Sequence, residues 1–456
     1  PGMCTMVLGE IEAVSPDFYR DLLQGSMRPR YTGSFFLMAE RRLEFPFRDE
    51  DFKQHLVNRH IYYESSRGCP FSCTYCLSAA ERGVFHKELP QVFSELERIL
   101  SHQPSVLRFV DRTFNDNPAR ALAIWRYLAE RGHGTLFHFE IAPDRFTEEM
   151  FIFLAGIPAG LFQFEIGIQS THSDTLAAIR RRIDPAAAHA TISRLAAFGN
   201  IHLHVDLILG LPHENRETFF RSFAEVYAMG PQYIQMGLLK LLPDTAIRQT
   251  AEECGYLYCT DPPYSALANR WLNHAALSDL YWFCECVEKF HNNRYFISFW
   301  HSLRRKQENI AAFFLGLLDI CHRNNFFELA ATQEFLCRLL CLQIKGRGDE
   351  LLLIELLRHD WLRCGHRFLP EFLEMRQDEE QPVETKNRLY QTLPEKLIGV
   401  YRRGEKNCFF KKAVCLNFSG LACRELGFQG REEFGSLCFL GEREGGLFRF
   451  NRVLRL

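Results

Sequence analysis

The sequence lacks a long hydrophobic segment, a secretory signal and a dominant sign of charge. No stretch of its 456 residues approaches about 18 uninterrupted apolar positions, which excludes a transmembrane helix, and no charged-then-apolar signal pattern opens the chain. The 54 basic and 56 acidic residues give a formal net charge of −2. Bulk charge therefore does not support binding to nucleic acid or to a membrane surface. Internal repeats and low-complexity tracts are also missing.

Cysteine and phenylalanine, in contrast, are abundant, with 16 and 41 residues. In a long chain without a secretory signal, many cysteines indicate thiols or metal ligands in a reducing compartment, so we expect a cytoplasmic protein. The phenylalanines require only core packing. A hydrophobic fraction of 47% excludes a disordered chain. A prior of roughly 150 residues per domain predicts about three domains.

Alternating strand and helix patterns fill the first half of the chain. Apolar residues at three- and four-residue spacing predict helices at 91–100, 118–131, 148–154, 174–198 and 217–227. Strands are predicted between them at 61–65, 106–111, 136–141, 161–169, 201–209 and 233–241. This alternation predicts an α/β fold, a partial (β/α)6 barrel of the TIM type. The alternative is an antiparallel sheet with one face exposed to solvent.

Three of these strands place polar residues on one face. The polar positions are Gln163, Glu165, Gly167 and Gln169; His202, His204 and Asp206; and His138 and Glu140. A barrel packs its apolar outer face on helices, so these residues would point into the lumen. The lumen would then be polar, which suits a cofactor cavity. The histidines would be substrate contacts, acid–base groups or structural residues.

The predicted secondary-structure pattern changes after about residue 265. Helical patterns cover 277–290, 310–321, 328–344 and 351–361, a polar linker is predicted at 374–386, and strands at 408–418 and 436–452. We therefore expect a mainly helical carboxy-terminal domain over 266–456, preceded by the barrel at 55–265 and a short segment at 1–54.

The most specific local pattern is a cysteine loop that follows the first strand. Cys69, Cys73 and Cys76 are spaced by three and then two residues. Three thiolates would leave zinc without its fourth ligand, and none follows nearby in the sequence. An iron–sulfur cubane with three cysteine ligands would keep one iron open for chemistry.

This loop, its position after the first strand and Tyr75 before its last cysteine resemble the radical S-adenosylmethionine (SAM) superfamily. The resemblance implies a [4Fe-4S] cluster held by Cys69, Cys73 and Cys76, whose open iron chelates SAM. One electron from the cluster would then release methionine and a 5′-deoxyadenosyl radical that takes a hydrogen atom from a substrate. The cofactor would supply the reactivity, and the protein the orientation and exclusion of water.

The resemblance also implies a set of SAM contacts. The segment 165–170 is similar to the fourth-strand region that contacts the ribose and the methionyl carboxylate, and 206–214 to the fifth-strand motif beside adenine. At 111–115 the chain lacks the Gly-Gly-Glu that relatives often use for the methionine amino group. The SAM contacts implied are Asp111, Glu140, Glu165, Gln169, Ser170, Arg180, Asp206 and Gly210.

Residues 45–300 resemble a bacterial subgroup that carries a cobalamin-binding domain before the radical SAM barrel and a domain of unknown function behind it. Because the chain begins at Pro1 and lacks an Asp-x-His-x-x-Gly pattern, we expect residues 1–54 to be the stub of a truncated cobalamin-binding domain. The resemblance then implies cobalamin in the full-length protein and a methyltransferase-like reaction on an unknown substrate, a small molecule or peptide rather than nucleic acid. An electron donor such as flavodoxin or ferredoxin is also implied.

Two other functions stay open at this point. One is a radical SAM oxidoreductase or rearrangement enzyme without cobalamin, and the other is an iron–sulfur binding protein that has lost turnover. The remaining cysteines would form an auxiliary cluster or, as is more usual, buried thiols.

Overall fold

The computed structural model describes residues 5–33, 45–80, 83–375, 387, 389–391, 413–428, 434–444 and 450–455. The chain divides into two compact units. The first contains Pro1–Ser72 and Cys76–Phe153, and the second contains Cys73–Tyr75 and Leu154–Leu456. The domain boundaries expected at 54/55 and 265/266 stay predictions.

The first unit contains three parallel strands that alternate with helices. Strand Ile61–Tyr63 pairs with Val106–Phe109, and Val106–Phe109 pairs with Leu136–Glu140, all in parallel. Phenylalanines on the second and third of these strands stack with each other, with 4.7 Å between the ring centroids of Phe109 and Phe139. The strands of this unit are β1 (Met6–Leu8), β2 (Arg30–Thr32), β3 (Ile61–Tyr63), β4 (Ser66–Cys69), β5 (Gly83–His86), β6 (Val106–Phe109) and β7 (Leu136–Glu140). The helices are α1 (Pro16–Gln24), α2 (Asp49–Gln54), α3 (Leu89–Leu100), α4 (Pro118–Arg131) and α5 (Glu148–Ala155).

The second unit opens with three further parallel strands, β8 (Phe162–Gln169), β9 (His202–Leu209) and β10 (Tyr233–Leu238). Burial alternates along β8 as the sequence predicts: Phe162, Phe164, Ile166 and Ile168 are buried, and the polar residues between them are half-buried. The helices that alternate with these strands are α6 (Ser173–Ala178), α7 (Pro185–Phe198), α8 (Arg216–Met229) and α9 (Ala246–Gln249). The α/β fold class with alternating parallel strands and helices is confirmed.

One predicted helix was wrong. The pattern at 174–198 predicts a single helix, but α6 ends at Ala178 and α7 begins at Pro185. Arg180 adopts a left-handed conformation with φ 54°, which stops α6. Asp184 then accepts a hydrogen bond from the Ala186 amide at 2.9 Å and caps the new helix, whose first residue is a proline.

The mainly helical segment that the sequence predicts after residue 265 is observed. It follows a short antiparallel pair, β11 (Leu257–Tyr258) with β12 (Ala266–Ala268). The helices are α10 (His274–Val287), which continues as a π-helix at Glu288–Asn292, α11 (Ile297–Arg305), α12 (Ile310–Arg323), α13 (Gln333–Ile344) and α14 (Glu350–Arg363). Among the described residues, no helix is both long and apolar enough to cross a bilayer.

The chain closes with a three-stranded antiparallel sheet of β13 (Val414–Ser419), β14 (Phe434–Glu444) and β15 (Phe450–Arg455), with helix α15 at Gly420–Glu425. Glu355 of α14 accepts hydrogen bonds from the amide and hydroxyl of Ser419 and so ties this sheet to the helices. The predicted linker lies outside the described residues from 376 to 386, as do 408–412 and 445–449 of the two predicted strands.

Candidate functional site

The cysteine loop of the first unit begins in a short hairpin. Cys69 is the last residue of β4, which pairs with β5 in an antiparallel register. Gly68 has φ 96°, and a Cβ there would collide with the carbonyl oxygen of Gly83 across the hairpin. Only glycine therefore fits this position. The Cys69 Sγ lies 3.6 Å from the Thr113 hydroxyl, just beyond the carboxyl end of β6.

The buried carboxylate of Asp111 binds the residues that precede this loop. Both oxygens of Asp111 accept hydrogen bonds from Ser65, from its amide at 3.0 Å and its hydroxyl at 2.6 Å, and the Ser66 hydroxyl donates as well. Burial raises the pKa of Asp111, against the opposing effect of these hydrogen bonds. The side chain is 1% exposed, so in this structure Asp111 positions the residues that lead to Cys69. Its predicted SAM contact stays a prediction.

Glu140, the last residue of β7, is half-buried at the carboxyl end of its strand, where the sequence analysis expects a SAM contact. Its carbonyl oxygen accepts the Phe114 amide at 2.8 Å. Asn115 exchanges two hydrogen bonds with the backbone of Ala142, at 2.8 and 2.7 Å. These bonds join the segments that follow β6 and β7.

Within the second unit, residues 73–75 are held by backbone hydrogen bonds. The Thr74 amide donates to the Ile179 carbonyl at 3.0 Å, and the Thr74 carbonyl accepts the Ile247 amide at 2.9 Å. The Tyr75 ring packs on an apolar cluster that includes Leu176 and Ile179. Cys73 is buried, with 5% of its surface exposed. The middle of the loop is therefore fixed by main-chain contacts and by an aromatic anchor.

The arginine beside Cys73 is Arg181. Its Nη2 donates to the Gly167 carbonyl at 2.5 Å, and its Nη1 lies 3.9 Å from the Cys73 Sγ. Arg180, which the sequence analysis selects, is exposed to solvent. The structure thus brings the neighbouring arginine to the loop. The arginine run 180–182 signals a basic group here, but the choice between its members depends on the turn that ends α6.

The end of β8 carries a bulge between Gly167 and Gln169, where Gln169 has φ 72°. A Cβ on Gly167 would collide with the Gln169 side-chain amide, so glycine gives that amide its room. The Gln169 Oε1 is buried with no hydrogen-bond partner among the described residues. Glu165, four residues before Gln169 on the same face, is half-buried. The predicted SAM contacts of β8 therefore share one face. On that face the buried Gln169 Oε1 is an acceptor to which a ligand could donate a hydrogen bond.

Ser170 follows the bulge and enters a buried network. Its hydroxyl donates to Glu214 Oε1 at 2.6 Å, and the Ser222 hydroxyl lies 3.5 Å from the same oxygen. Ser170 and Glu214 are fully buried. Burial raises the pKa of Glu214 to about 7, although both serine hydrogen bonds lower it. Ser170, predicted as a SAM contact, is used here to position the turn after β8, and sequence reasoning missed the role of Glu214.

Gly210 lies just beyond β9 and has φ 92°, which favours glycine. Its carbonyl oxygen accepts hydrogen bonds from the Tyr256 hydroxyl at 2.9 Å and from the Asn269 side chain at 3.0 Å. Asp206 on β9 is half-buried, with Oδ1 3.3 Å from His204 Nε2. The predicted adenine-binding segment is therefore rigidly supported on one side.

The cysteines are chemically suited to an iron–sulfur cluster. None of the described cysteines, Cys69, Cys73 and Cys76 included, forms a disulfide, and thiolates are the usual ligands of such clusters. Gly68 gives the loop a backbone that larger residues could not adopt. Across the described part of the chain, no group of three or more His, Cys, Asp or Glu side chains is preassembled around a metal position.

Comparison with known proteins gives two family matches. The model of the Radical SAM superfamily matches residues 63–225, which include the cysteine loop and the ends of β6 to β9. The model of DUF4080, a protein family of unknown function, matches residues 252–420.

Two curated relatives are methyltransferases. The 2-(S-pantetheinyl)-carbapenam-3-carboxylate methyltransferase of Streptantibioticus cattleyicolor is 27% identical over 219 residues, which is 46% of this chain and 32% of that protein. The cobalamin-dependent radical SAM methyltransferase TokK of Streptomyces tokunonensis is 30% identical over 167 residues, 35% of this chain and 24% of that protein. The chain thus spans a third or less of either relative.

Among solved structures, the cobalamin-dependent SAM radical enzyme OxsB aligns with 76% of this chain and 61% of its own, at 13% identity and a TM-score of 0.47.

Proposed function

We propose that this chain, whose residues 63–225 match the Radical SAM superfamily and 252–420 match DUF4080, is an enzyme that cleaves SAM reductively. The observation that carries this proposal is the loop of Cys69, Cys73 and Cys76, which lies inside the matched radical SAM region. In the proposal these three thiolates hold a [4Fe-4S] cluster. Such a cluster, when bound with SAM, supplies the electron that releases methionine and a 5′-deoxyadenosyl radical.

Side chains at the carboxyl ends of the parallel strands would orient SAM and keep water away. We propose Glu140, Glu165, Gln169, Asp206 and Gly210 as contacts of SAM. The buried, unsatisfied oxygen of Gln169 supports its place in this set, since a donor from a ligand would satisfy it. Asp111 and Ser170 are proposed as positioning residues, because their hydrogen bonds are used within the protein.

Arg181 is our choice for the basic partner of the methionyl carboxylate, in place of Arg180. Its guanidinium lies beside Cys73 and is oriented by the Gly167 carbonyl, whereas Arg180 is exposed. A guanidinium can donate two parallel hydrogen bonds to one carboxylate, which suits an arginine to this role.

Cluster binding is the first test. The full chain is reconstituted anaerobically with iron and sulfide, and iron, labile sulfide and the electron paramagnetic resonance of the reduced protein are measured. We expect about four irons per chain, lost in Cys69→Ala, Cys73→Ala and Cys76→Ala. Cys254→Ala and Cys259→Ala are matched controls, since both residues are half-buried cysteines outside the loop. Equal iron content in loop and control variants would refute the ligand assignment.

We further propose methyl transfer to a small-molecule or peptide substrate, with cobalamin, because two curated relatives are named as methyltransferases and one of them as cobalamin-dependent. A reducing cytoplasm with flavodoxin or ferredoxin as electron donor fits such chemistry. The alternatives are a radical oxidation or rearrangement without cobalamin, and an iron–sulfur protein without turnover. SAM with a deuterated methyl group separates them: label in the substrate indicates methylation, and 5′-deoxyadenosine without label transfer indicates one of the cobalamin-independent reactions.

A further inference from the structure

A cavity of about 540 Å³ lies in the second unit, at the amino ends of β9 and β10. Gly199 and Gln232, which line it, precede these two strands. In the proposed SAM site, by contrast, Gln169 is the last residue of β8 and Gly210 follows β9, so both lie at the carboxyl ends of their strands. At about 3.3 Å per residue, the eight residues of β9 separate its two ends by roughly 25 Å. The cavity is therefore distinct from the proposed SAM site.

The ionisable residues that line this cavity are all of basic types. Arg294, Arg304, His291 and His301 line it, and no aspartate or glutamate is found among the described residues that do so. Arg304 is half-buried, and within the described part of the chain no carboxylate lies at ion-pair distance from it. Burial lowers the pKa of Arg304, and burial together with the charge of Arg304 lowers the pKa of His291 to about 4. The positive charge in the cavity therefore lacks a protein counter-charge beside Arg304.

Arg304 has a structural bond but keeps donors for a ligand. Its Nε donates to the Tyr227 carbonyl at 2.8 Å, near the carboxyl end of α8, and its guanidinium lies 4.5 Å from the Tyr227 ring centroid. This bond uses one of the five N–H donors of a guanidinium and fixes its orientation. A pre-oriented, partly desolvated arginine is well suited to bind an anion.

The remaining walls are mostly apolar, apart from Ser193 and Gln232. Their apolar members include Ala196, Ala228, Met229, Pro231, Ile297 and Trp300. The cavity volume falls in the range of small-molecule sites, which are mostly apolar with a few placed polar groups. Burying a cation without a counter-ion is costly, and an anionic ligand would offset that cost.

We propose that this cavity binds a small molecule that carries a carboxylate or phosphate group on an apolar body, with the anion on Arg304 and Arg294. The lining residues come from both family-matched regions and the segment between them, since Ser193 lies in the radical SAM match and Arg304 in the DUF4080 match. The site does not depend on SAM cleavage, so it can be tested without a cluster.

Calorimetric titration of the full chain tests the proposal with three probes: phenyl phosphate, 3-phenylpropanoate and the uncharged 3-phenylpropan-1-ol. We expect one of the anions to bind with a Kd below about 1 mM and at least about tenfold more tightly than the alcohol. Arg304→Gln should weaken that binding about tenfold or more, and Arg304→Lys less. Arg305→Gln is the matched control, because Arg305 is exposed and does not line the cavity.

Ala196→Phe keeps both arginines and narrows the cavity, so it carries the test if Arg304→Gln does not fold. It should also weaken binding about tenfold. If only phenyl phosphate or only 3-phenylpropanoate binds, the proposal holds and the anionic group that the cavity prefers is identified. If neither anion binds with a Kd below about 1 mM, the proposal is overturned. Equal affinity for the alcohol, or equal weakening by Arg305→Gln, would overturn it as well.

Discussion

Glu214→Gln is the substitution whose effect the structure specifies most closely. Glu214 is fully buried, and only one of its carboxylate oxygens, Oε1, has hydrogen-bond partners among the described residues. Glutamine keeps the oxygen that accepts from Ser170 and removes the ionisable group. The variant therefore changes the charge of a buried side chain while retaining its shape and its main hydrogen bond.

The size of the expected change in unfolding free energy follows from the pKa of Glu214. Burial raises the pKa of Glu214 from 4.5 to about 7, and each pH unit of such a rise is worth about 1.4 kcal/mol. Between these two values the unfolded chain loses the proton while the folded chain keeps it, so stability falls as pH rises. The full cost, about 3 kcal/mol, is present above pH 7 and absent below pH 4.5.

Urea unfolding at pH 5, 6, 7 and 8 measures this cost. Relative to the wild type, Glu214→Gln should gain about 2–3 kcal/mol of unfolding free energy between pH 5 and pH 8. Glu217→Gln is the control, because Glu217 is exposed on α8 and its loss should give no such gain. A difference between Glu214→Gln and wild type that is the same at pH 5 and pH 8 would show that Glu214 is not a buried, proton-retaining group.

Substitutions of Arg181, Gly167 and Asp111 test the hydrogen bonds and close contacts described above, with Arg180→Met as a control. Arg181→Met should lose about 1.5–3 kcal/mol of unfolding free energy with its bond to Gly167 and weaken SAM binding in calorimetry, whereas Arg180→Met should stay within about 0.5 kcal/mol; the reverse order would restore Arg180 as the basic partner. Gly167→Ala should displace the Gln169 amide at a cost of about 1 kcal/mol and weaken SAM binding; unchanged affinity would remove Gln169 from the site. Asp111→Ala should cost at least about 3 kcal/mol in urea unfolding, because Ser65 and Ser66 lose their buried acceptor; a cost under about 1 kcal/mol would contradict its positioning role.

Strand positions could be predicted from local pattern. In β8, apolar residues alternate with polar ones, and the structure buries every second side chain of this strand. The cysteine spacing could also be recognised directly, because the three cysteines lie within a segment of eight residues. Both signals are short-range, and no tertiary contact is needed to interpret them.

The partners of site residues could not be predicted in the same way. Ser170 meets Glu214 across 44 positions of sequence, and Asp111 meets Ser65 across 46. The sequence selects Arg180, whereas the structure places Arg181 beside Cys73, and the reason for this difference is local. Arg180 adopts a left-handed conformation at the end of α6, which sends its side chain to solvent and the next arginine towards Gly167. The apolar spacing that continues to 198 does not reveal that turn, although the pair Asp184 and Pro185 is a typical helix start and signals a break just before it.

Reductive SAM cleavage by this chain is the central claim, and 5′-deoxyadenosine is its direct product. The anaerobically reconstituted full chain, incubated with SAM and dithionite, should form 5′-deoxyadenosine detectable by mass spectrometry. Cys73→Ala should form none, and Cys259→Ala should match the wild type. A wild-type protein that is loaded with its cluster and forms no 5′-deoxyadenosine, or a Cys73→Ala variant that still forms it, would contradict the account.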